Sequence, residues 1–216
     1  MNQRLKRVAL AALAGAALVS QLTACFPLVA GGAVMTGMVA TDRRTSGAQV
    51  EDEGIELRAV NRLHEALGDG LHVNVTSYNR QVLLTGEATT AEAKQKAEQI
   101  VQRVENVRGV YNELVVGIAS PLSERSKDAL ISGKVKASLV DARDLISNSF
   151  KVVTERQVVY LMGRVTQREA NRATEIARGV DGVQKVVRLF EIISEEELKN
   201  QMPTPPKNTE PAKTGG

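Results

Sequence analysis

The sequence predicts an α+β protein of two tandem αββαβ modules, each a three-stranded mixed sheet with two helices on one face. Three observations carry that prediction. Val82-Leu83-Leu84-Thr85-Gly86 recurs 77 positions later as Val159-Tyr160-Leu161-Met162-Gly163. At the same offset, Thr89-x-x-Glu92 recurs as Thr166-x-x-Glu169. Each pair has the spacing of a capping box, in which the Thr hydroxyl and the Glu carboxylate satisfy free amides at a helix start. Ile100, Val104, Val107 and Val110 then return as Ile176, Val180, Val183 and Val186, now at an offset of 76. Self-similarity at a fixed period marks a duplicated unit. The change of offset implies one residue lost within the second helix of the later copy.

The elements follow in chain order. Arg4, Lys6 and Arg7 precede an apolar, Ala-rich run over residues 8–19, which ends at Leu22-Thr23-Ala24-Cys25. This is the layout of a secretory signal. A branched apolar residue and two small ones, directly before a cysteine, form a narrow stretch that a lipoprotein signal peptidase can grip. Residues 1–24 therefore read as a signal peptide that is removed, and Cys25 as the lipidation site, carrying a diacylglycerol and an N-acyl chain. An ordinary buried thiol is the alternative for Cys25, the only cysteine. An uncleaved anchor is disfavoured, because the apolar run falls short of the roughly 20 residues a spanning helix needs.

Residues 25–50 read as the lipidated cysteine and a Gly/Ala-rich linker. Gly31, Gly32 and Gly37 each weaken a helix there by about 1 kcal/mol relative to Ala. Either a membrane-proximal segment or a flexible tether fits residues 26–41, and the polar stretch from Asp42 to Asp52 looks like linker. The first module is placed at 51–118. Ile55, Ala59, Val60, Leu63, Ala66 and Leu67 make one helical face, with Gly68 and Gly70 ending the helix. Val73 and Val75 alternate with Asn74 and Thr76 as in a half-buried strand, residues 77–80 turn the chain, and residues 81–85 return. A capped helix over residues 90–103 buries Ala93, Ala97, Ile100 and Val101, and residues 110–118 form the last strand. A strand, helix, strand run of this length favours a right-handed crossover to a parallel neighbour. Pro121 marks the interior boundary, a joint short enough to keep the modules touching. The second module is placed at 122–194, with its hairpin over 150–154 and 157–162. Residues 195–216, rich in Pro and Lys, read as a disordered tail.

Charge excludes one class of partner. The formal net charge of +3 comes from Arg4, Lys6 and Arg7; without the first 24 residues the chain carries 25 basic and 25 acidic side chains. No strong nucleic-acid field results. Nor do the few, scattered aromatics make a stacking platform for single strands. The distribution is uneven, however. Residues 51–117 hold 7 basic and 11 acidic side chains, whereas residues 122–194 hold 13 basic and 9 acidic. The second module is the candidate for an anionic surface.

These residues resemble the BON family of small αββαβ modules, and within it the two-module outer-membrane lipoproteins of Gram-negative bacteria. The likeness covers nearly everything from Cys25 to Ile193. Its more specific marks are Thr41-Asp42-Arg43, Val110-Tyr111-Asn112-Glu113, and Tyr160-Leu161-Met162-Gly163-Arg164-Val165-Thr166 followed by Arg168-Glu169-Ala170. The resemblance implies a protein facing the periplasm on the outer membrane, binding anionic phospholipid and supporting envelope integrity. Phe26 after the cysteine fits that destination, since an Asp there favours inner-membrane retention in many such bacteria. The proline-rich tail departs from the pattern.

No catalytic set can be assembled from the sequence, so no enzyme, cofactor or small-molecule substrate is expected. His64 and His72 read as solvated histidines rather than metal ligands, and no metal site is expected. Gly86 and Gly163 read as strand-end turns rather than a phosphate cradle. What stands out is a surface. Stepping about 100° per residue from Ile131, Val135, Leu139, Ala142 and Ile146 cluster as a core stripe. Leu130, Gly133, Ala137 and Val140 fall on the opposite side, flanked by Lys134, Lys136 and Arg143, with Asp141 and Asp144 also at the border. In the first module the corresponding face carries Leu57, Asn61, His64 and Glu65 and is mostly polar. A second apolar stripe with basic edges suits a membrane interface or another protein. Packing against the first module is the alternative use. The expectation is docking on anionic phospholipid; the competing one is an adaptor for outer-membrane assembly proteins, with lipid only as tether.

Overall fold

The computed structural model describes residues 42–68 and 72–201. The expected signal peptide, the expected lipidation site Cys25, residues 26–41, Gly70 and the proline-rich segment from 202 lie outside the described residues. The expected architecture is present twice. In the first module α1 (Ser46–Leu67) precedes β1 (His72–Tyr78), β2 (Gln81–Ala88), α2 (Ala91–Gln102), β3 (Gly109–Asn112) and β4 (Val115–Val116). The second contains α3 (Leu122–Asp141), β5 (Phe150–Glu155), β6 (Val158–Val165), α4 (Gln167–Arg178) and β7 (Lys185–Ile192), and α5 (Glu195–Gln201) follows it. β1 runs antiparallel to β2, and β3 and β4 both run parallel to β2. The second sheet has the same order, with β5 antiparallel and β7 parallel to the central β6.

Both hairpins turn through two residues with positive φ, Asn79-Arg80 and Arg156-Gln157. Such turns match the twist of the paired strands but favour Asn and Gly. Here a buried aspartate on each module's first helix supports the turn. Asp52 accepts the amides of Asn79 and Arg80, each at 2.7 Å. Asp128 accepts those of Arg156 and Gln157, each at 2.8 Å. The same contact therefore orients each helix against its hairpin.

Alternation sorts the strand side chains between two faces. Val82, Leu84 and Ala88 meet Ile55, Ala59, Leu63, Ala97 and Val101 of the helices. Val159, Leu161 and Val165 meet Ile131, Val135, Leu139, Ala170, Ala173 and Ala177. The opposite faces carry Leu83, Tyr160 and Met162, which join Tyr78 in a third buried cluster. The modules thus pack through their helix-free sheet faces, as a helix–sheet–sheet–helix stack.

Several sequence expectations are corrected. The polar stretch read as linker is helical from Ser46, because Thr45 caps the helix by accepting the Ala48 amide and Asp52 is needed at the hairpin. In α2 the cap is Thr90, accepting from Ala93 N, rather than Thr89. Both α2 and α4 have 12 residues, so the lost residue lies at the strand-to-helix turn and not within the helix. The last strand of the first module is broken at Glu113-Leu114, where Leu114 turns into the core and the Asn112 side chain accepts its amide. Gly86 and Gly163 sit inside β2 and β6, where a Cβ would run into the carbonyl of His72 or Ser149 on the neighbouring chain segment. Val60 and Ala66, read as core, are exposed. α3 ends at Asp141, so Ala142 and Ile146 leave the helical stripe. Residues 195–201, read as disordered tail, form α5, started by the Ser194 hydroxyl accepting the Glu197 amide and held by the buried Leu198.

Candidate membrane-docking helix and the seam between the modules

α3 begins after Pro121, whose carbonyl accepts the Glu124 and Arg125 amides. Its orientation follows from two constraints: Ile131, Val135 and Leu139 are buried, and Asp128 is tied to the hairpin turn. The opposite face must then point away from the sheet. Leu130 is 68% exposed and Val140 66% exposed. Gly133 and Ala137 lie between them on the same exposed face, with open space beyond Gly133. Packing of Leu130 and Val140 against the first module is therefore not their use. Sequence reasoning passed over Leu122, which is 78% exposed. It lies 18 positions before Val140, five whole helical turns, and so extends the same stripe to roughly 27 Å.

The basic residues differ in placement. Lys134 reaches Asp181 at 3.3 Å, with both side chains open to solvent. Lys136 is exposed and makes no ion pair among the described residues. Arg143, expected on the helix edge, lies past its end because Ala142 is extended; it is exposed in the turn that follows. A shallow groove of about 630 Å³ runs between α3 and α4, lined by Lys134, Ala137, Arg172 and Ile176 among others.

The contrast with α1 rests on charge more than on apolarity. Val50 and Leu57 are exposed on α1, as is Val60. Its arginines are occupied, however. Arg58 pairs with Glu51 at 2.6 Å and Arg62 with Glu105 at 2.7 Å. No lysine occurs on α1.

The seam between the modules holds several buried polar groups. Arg43 makes a two-pronged pair with Glu169 at 2.7 and 2.8 Å, both side chains almost fully buried. Burial pushes the Glu169 carboxyl up, but the Arg43 guanidinium and the Thr166 amide outweigh it and hold the carboxyl below its usual range. Arg44 stacks 4.3 Å over the Tyr78 ring and binds Asp42 and Asp52. The Tyr160 hydroxyl, raised by burial and by the Glu113 carboxylate, faces Glu113 at 3.4 Å. The residues that marked the resemblance, Arg43, Glu113, Tyr160 and Glu169, thus meet at this seam, although they are scattered along the chain.

His72 is also drawn into it, correcting its reading as solvated. Its Nδ1 lies 2.9 Å from Glu87, whose side chain is buried and also accepts from Ser120 and, at 3.3 Å, from Arg156. Burial pushes Glu87 up, but these hydrogen bonds bring it below its usual range. Glu155, from the second module, accepts from Asn74 at 3.0 Å; burial, with Glu87 close by, holds its carboxyl above the usual range. Ligand atoms of His72, Glu87 and Glu155 all lie within 4.8 Å of one another. Little in the sequence warns of this group, because its members lie 15 and 68 positions apart and on two modules. His64 stays exposed on α1.

Comparison with known proteins agrees with this architecture. The BON domain family matches residues 51–118 and 127–194. The chain is 37% identical over 188 residues to the outer membrane lipoprotein DolP of Haemophilus influenzae, covering 85% of this chain and 95% of that one. It is 33% identical over 154 residues to a 21 kDa hemolysin of Actinobacillus pleuropneumoniae, covering 70% and 79%. A shorter match, 43% over 60 residues, joins it to osmotically-inducible protein Y of Escherichia coli, covering 27% and 30%. With two matched copies of the module and a relative 37% identical and covered over 95% of its length, the chain belongs to the BON-domain family.

Proposed function

We propose that this protein is a non-enzymatic outer-membrane lipoprotein, anchored through Cys25 and facing the periplasm, whose second module docks on anionic phospholipid in support of envelope integrity. The observation that carries the docking step is the exposed stripe of α3, five turns long and flanked by Lys134 and Lys136. The name of the Haemophilus relative supports the location. No helix among the described residues is long and apolar enough to cross a membrane. Each basic residue near an anionic surface contributes about 1 kcal/mol. Two or three of them give weak, reversible docking, sufficient once the anchor has already placed the protein on the leaflet.

Co-sedimentation of residues 26–216 with vesicles tests this. Binding is expected to phosphatidylglycerol vesicles and not to phosphatidylcholine vesicles, and Lys134→Glu/Lys136→Glu should abolish it. Equal binding by wild type and the double variant would remove α3 from the docking role. The adaptor reading draws on the apolar patch of Val115, Val116 and Ile118 exposed at the edge of the first module. Crosslinking in cells from Val140 separates the two: lipid adducts support docking, and a single protein adduct supports the adaptor.

A further inference from the structure

We infer that the seam between the modules forms a binding site for a divalent transition metal, with His72 and Glu87 of the first module and Glu155 of the second as ligands. This inference does not depend on membrane docking. The three ligand atoms lie within 4.8 Å of one another. In a tetrahedral site with bonds of about 2.0 Å, ligand atoms sit about 3.3 Å apart, so only small side-chain movements are needed. One imidazole and two carboxylates form a donor set suited to zinc, with a fourth position left for water.

The backbone already holds these donors in place. His72 and Glu87 are direct cross-strand partners in the β1–β2 ladder, and Glu155 ends β5. Donors carried on strands are more precisely positioned than donors on loops. Outer contacts are present too: Asn74 donates to Glu155, and Ser120 donates to Glu87. Such contacts orient ligands around metals. Charge provides an independent argument. Glu155 is buried, and among the described residues its hydrogen bond comes from a neutral amide and it has no ion-pair partner. The nearby Arg156 turns to Glu87 instead and is 44% exposed, so it can yield its place to a metal by swinging into solvent. Two cations border these buried carboxylates, but Arg156 is loosely held and Arg125 is turned to the Ser120 carbonyl, so negative charge is left that a divalent ion would neutralise. An open pocket of about 260 Å³, lined by His72, Asn74, Asp128 and Glu155 among others, provides a route in. Asp128 is not counted as a ligand, because its oxygens hold the Arg156 and Gln157 amides.

Because the ligands come from both modules, metal binding would fasten one to the other. The test is calorimetric titration of Zn²⁺ into the full chain, purified in detergent without an affinity tag, paired with thermal melts in Zn²⁺ and in EDTA. Wild type should bind one Zn²⁺ per chain saturably and melt higher with the metal. Glu155→Gln, which keeps the size and can keep the Asn74 contact, should weaken binding by at least about tenfold, the loss that even an outer contact costs. His72→Gln should do the same, while His64→Gln should bind as wild type does. The EDTA melts show that each variant is folded. Absence of saturable Zn²⁺ binding in wild type would overturn the site, as would wild-type affinity in Glu155→Gln.

Discussion

Single residues explain why two modules of short strands hold together without a disulfide. Asp52 and Asp128 supply carboxylates to hairpin turns whose residues are poorly suited to positive φ, and the Arg43–Glu169 pair joins the start of the first module to the second. Removing one partner of a buried pair costs about 3–5 kcal/mol, because the other charge is left behind. The pair also sets a pH dependence. The Glu169 carboxyl titrates below its usual range in the folded protein. Its stabilisation is therefore present above the ordinary carboxylate pKa and is lost as pH falls through the lowered folded value. In urea melts at a series of pH values, the stability gap between wild type and Glu169→Gln should be widest near neutrality and close toward pH 3. A gap independent of pH would show that the charge is not what matters at this position.

At the level of elements, burial separates two leucines that the sequence presents alike. Leu198 of α5 is buried, whereas Leu122 at the start of α3 is exposed. Leu198→Ala should destabilise by about 2–5 kcal/mol. Leu122→Ala should stay within about 0.5 kcal/mol of wild type. Equal losses in chemical melts would contradict the assignment of Leu122 to a free face. Strands, helices and their order were legible in the sequence because the duplication repeated every apolar period. Helix ends were less legible. Ser46 opens α1 in a stretch whose composition reads as linker, since its reason to be helical, Asp52 reaching the Asn79 and Arg80 amides, is a contact across 27 and 28 positions. α5 had a local signal in Ser194-x-x-Glu197, obscured by the charge and proline content around it. The α3 stripe was readable because helical geometry alone separates its two apolar sides. Arg143 was misplaced because nothing in its own residue type marks the helix end at Asp141.

The two modules form a stack in which each sheet covers the other's helix-free face. Tyr78, Leu83, Tyr160 and Met162 fill the middle, and both helix layers lie outside. Neither single-module pattern reveals this. The alternating Tyr160 and Met162 could equally have faced solvent, and only the pairing of the two copies shows what buries them. Under the proposed function, this packing explains why docking falls to a helix. The seam occupies the sheet faces, so the outer face of α3 is left free for the proposed docking, with an anchor at the proposed lipidation site, Cys25, fixing the leaflet but not the orientation. The proposed function makes α3 of the second module the face that meets anionic phospholipid. An amide NMR titration of residues 26–216 tests it most directly, with phosphatidylglycerol micelles set against zwitterionic micelles. Broadening is expected to be confined to Leu122, Leu130, Gly133, Ala137 and Val140 and their neighbours, with the anionic lipid alone. Broadening centred on Leu57 of α1 or on residues 115–118, or the same response to both lipids, would contradict it.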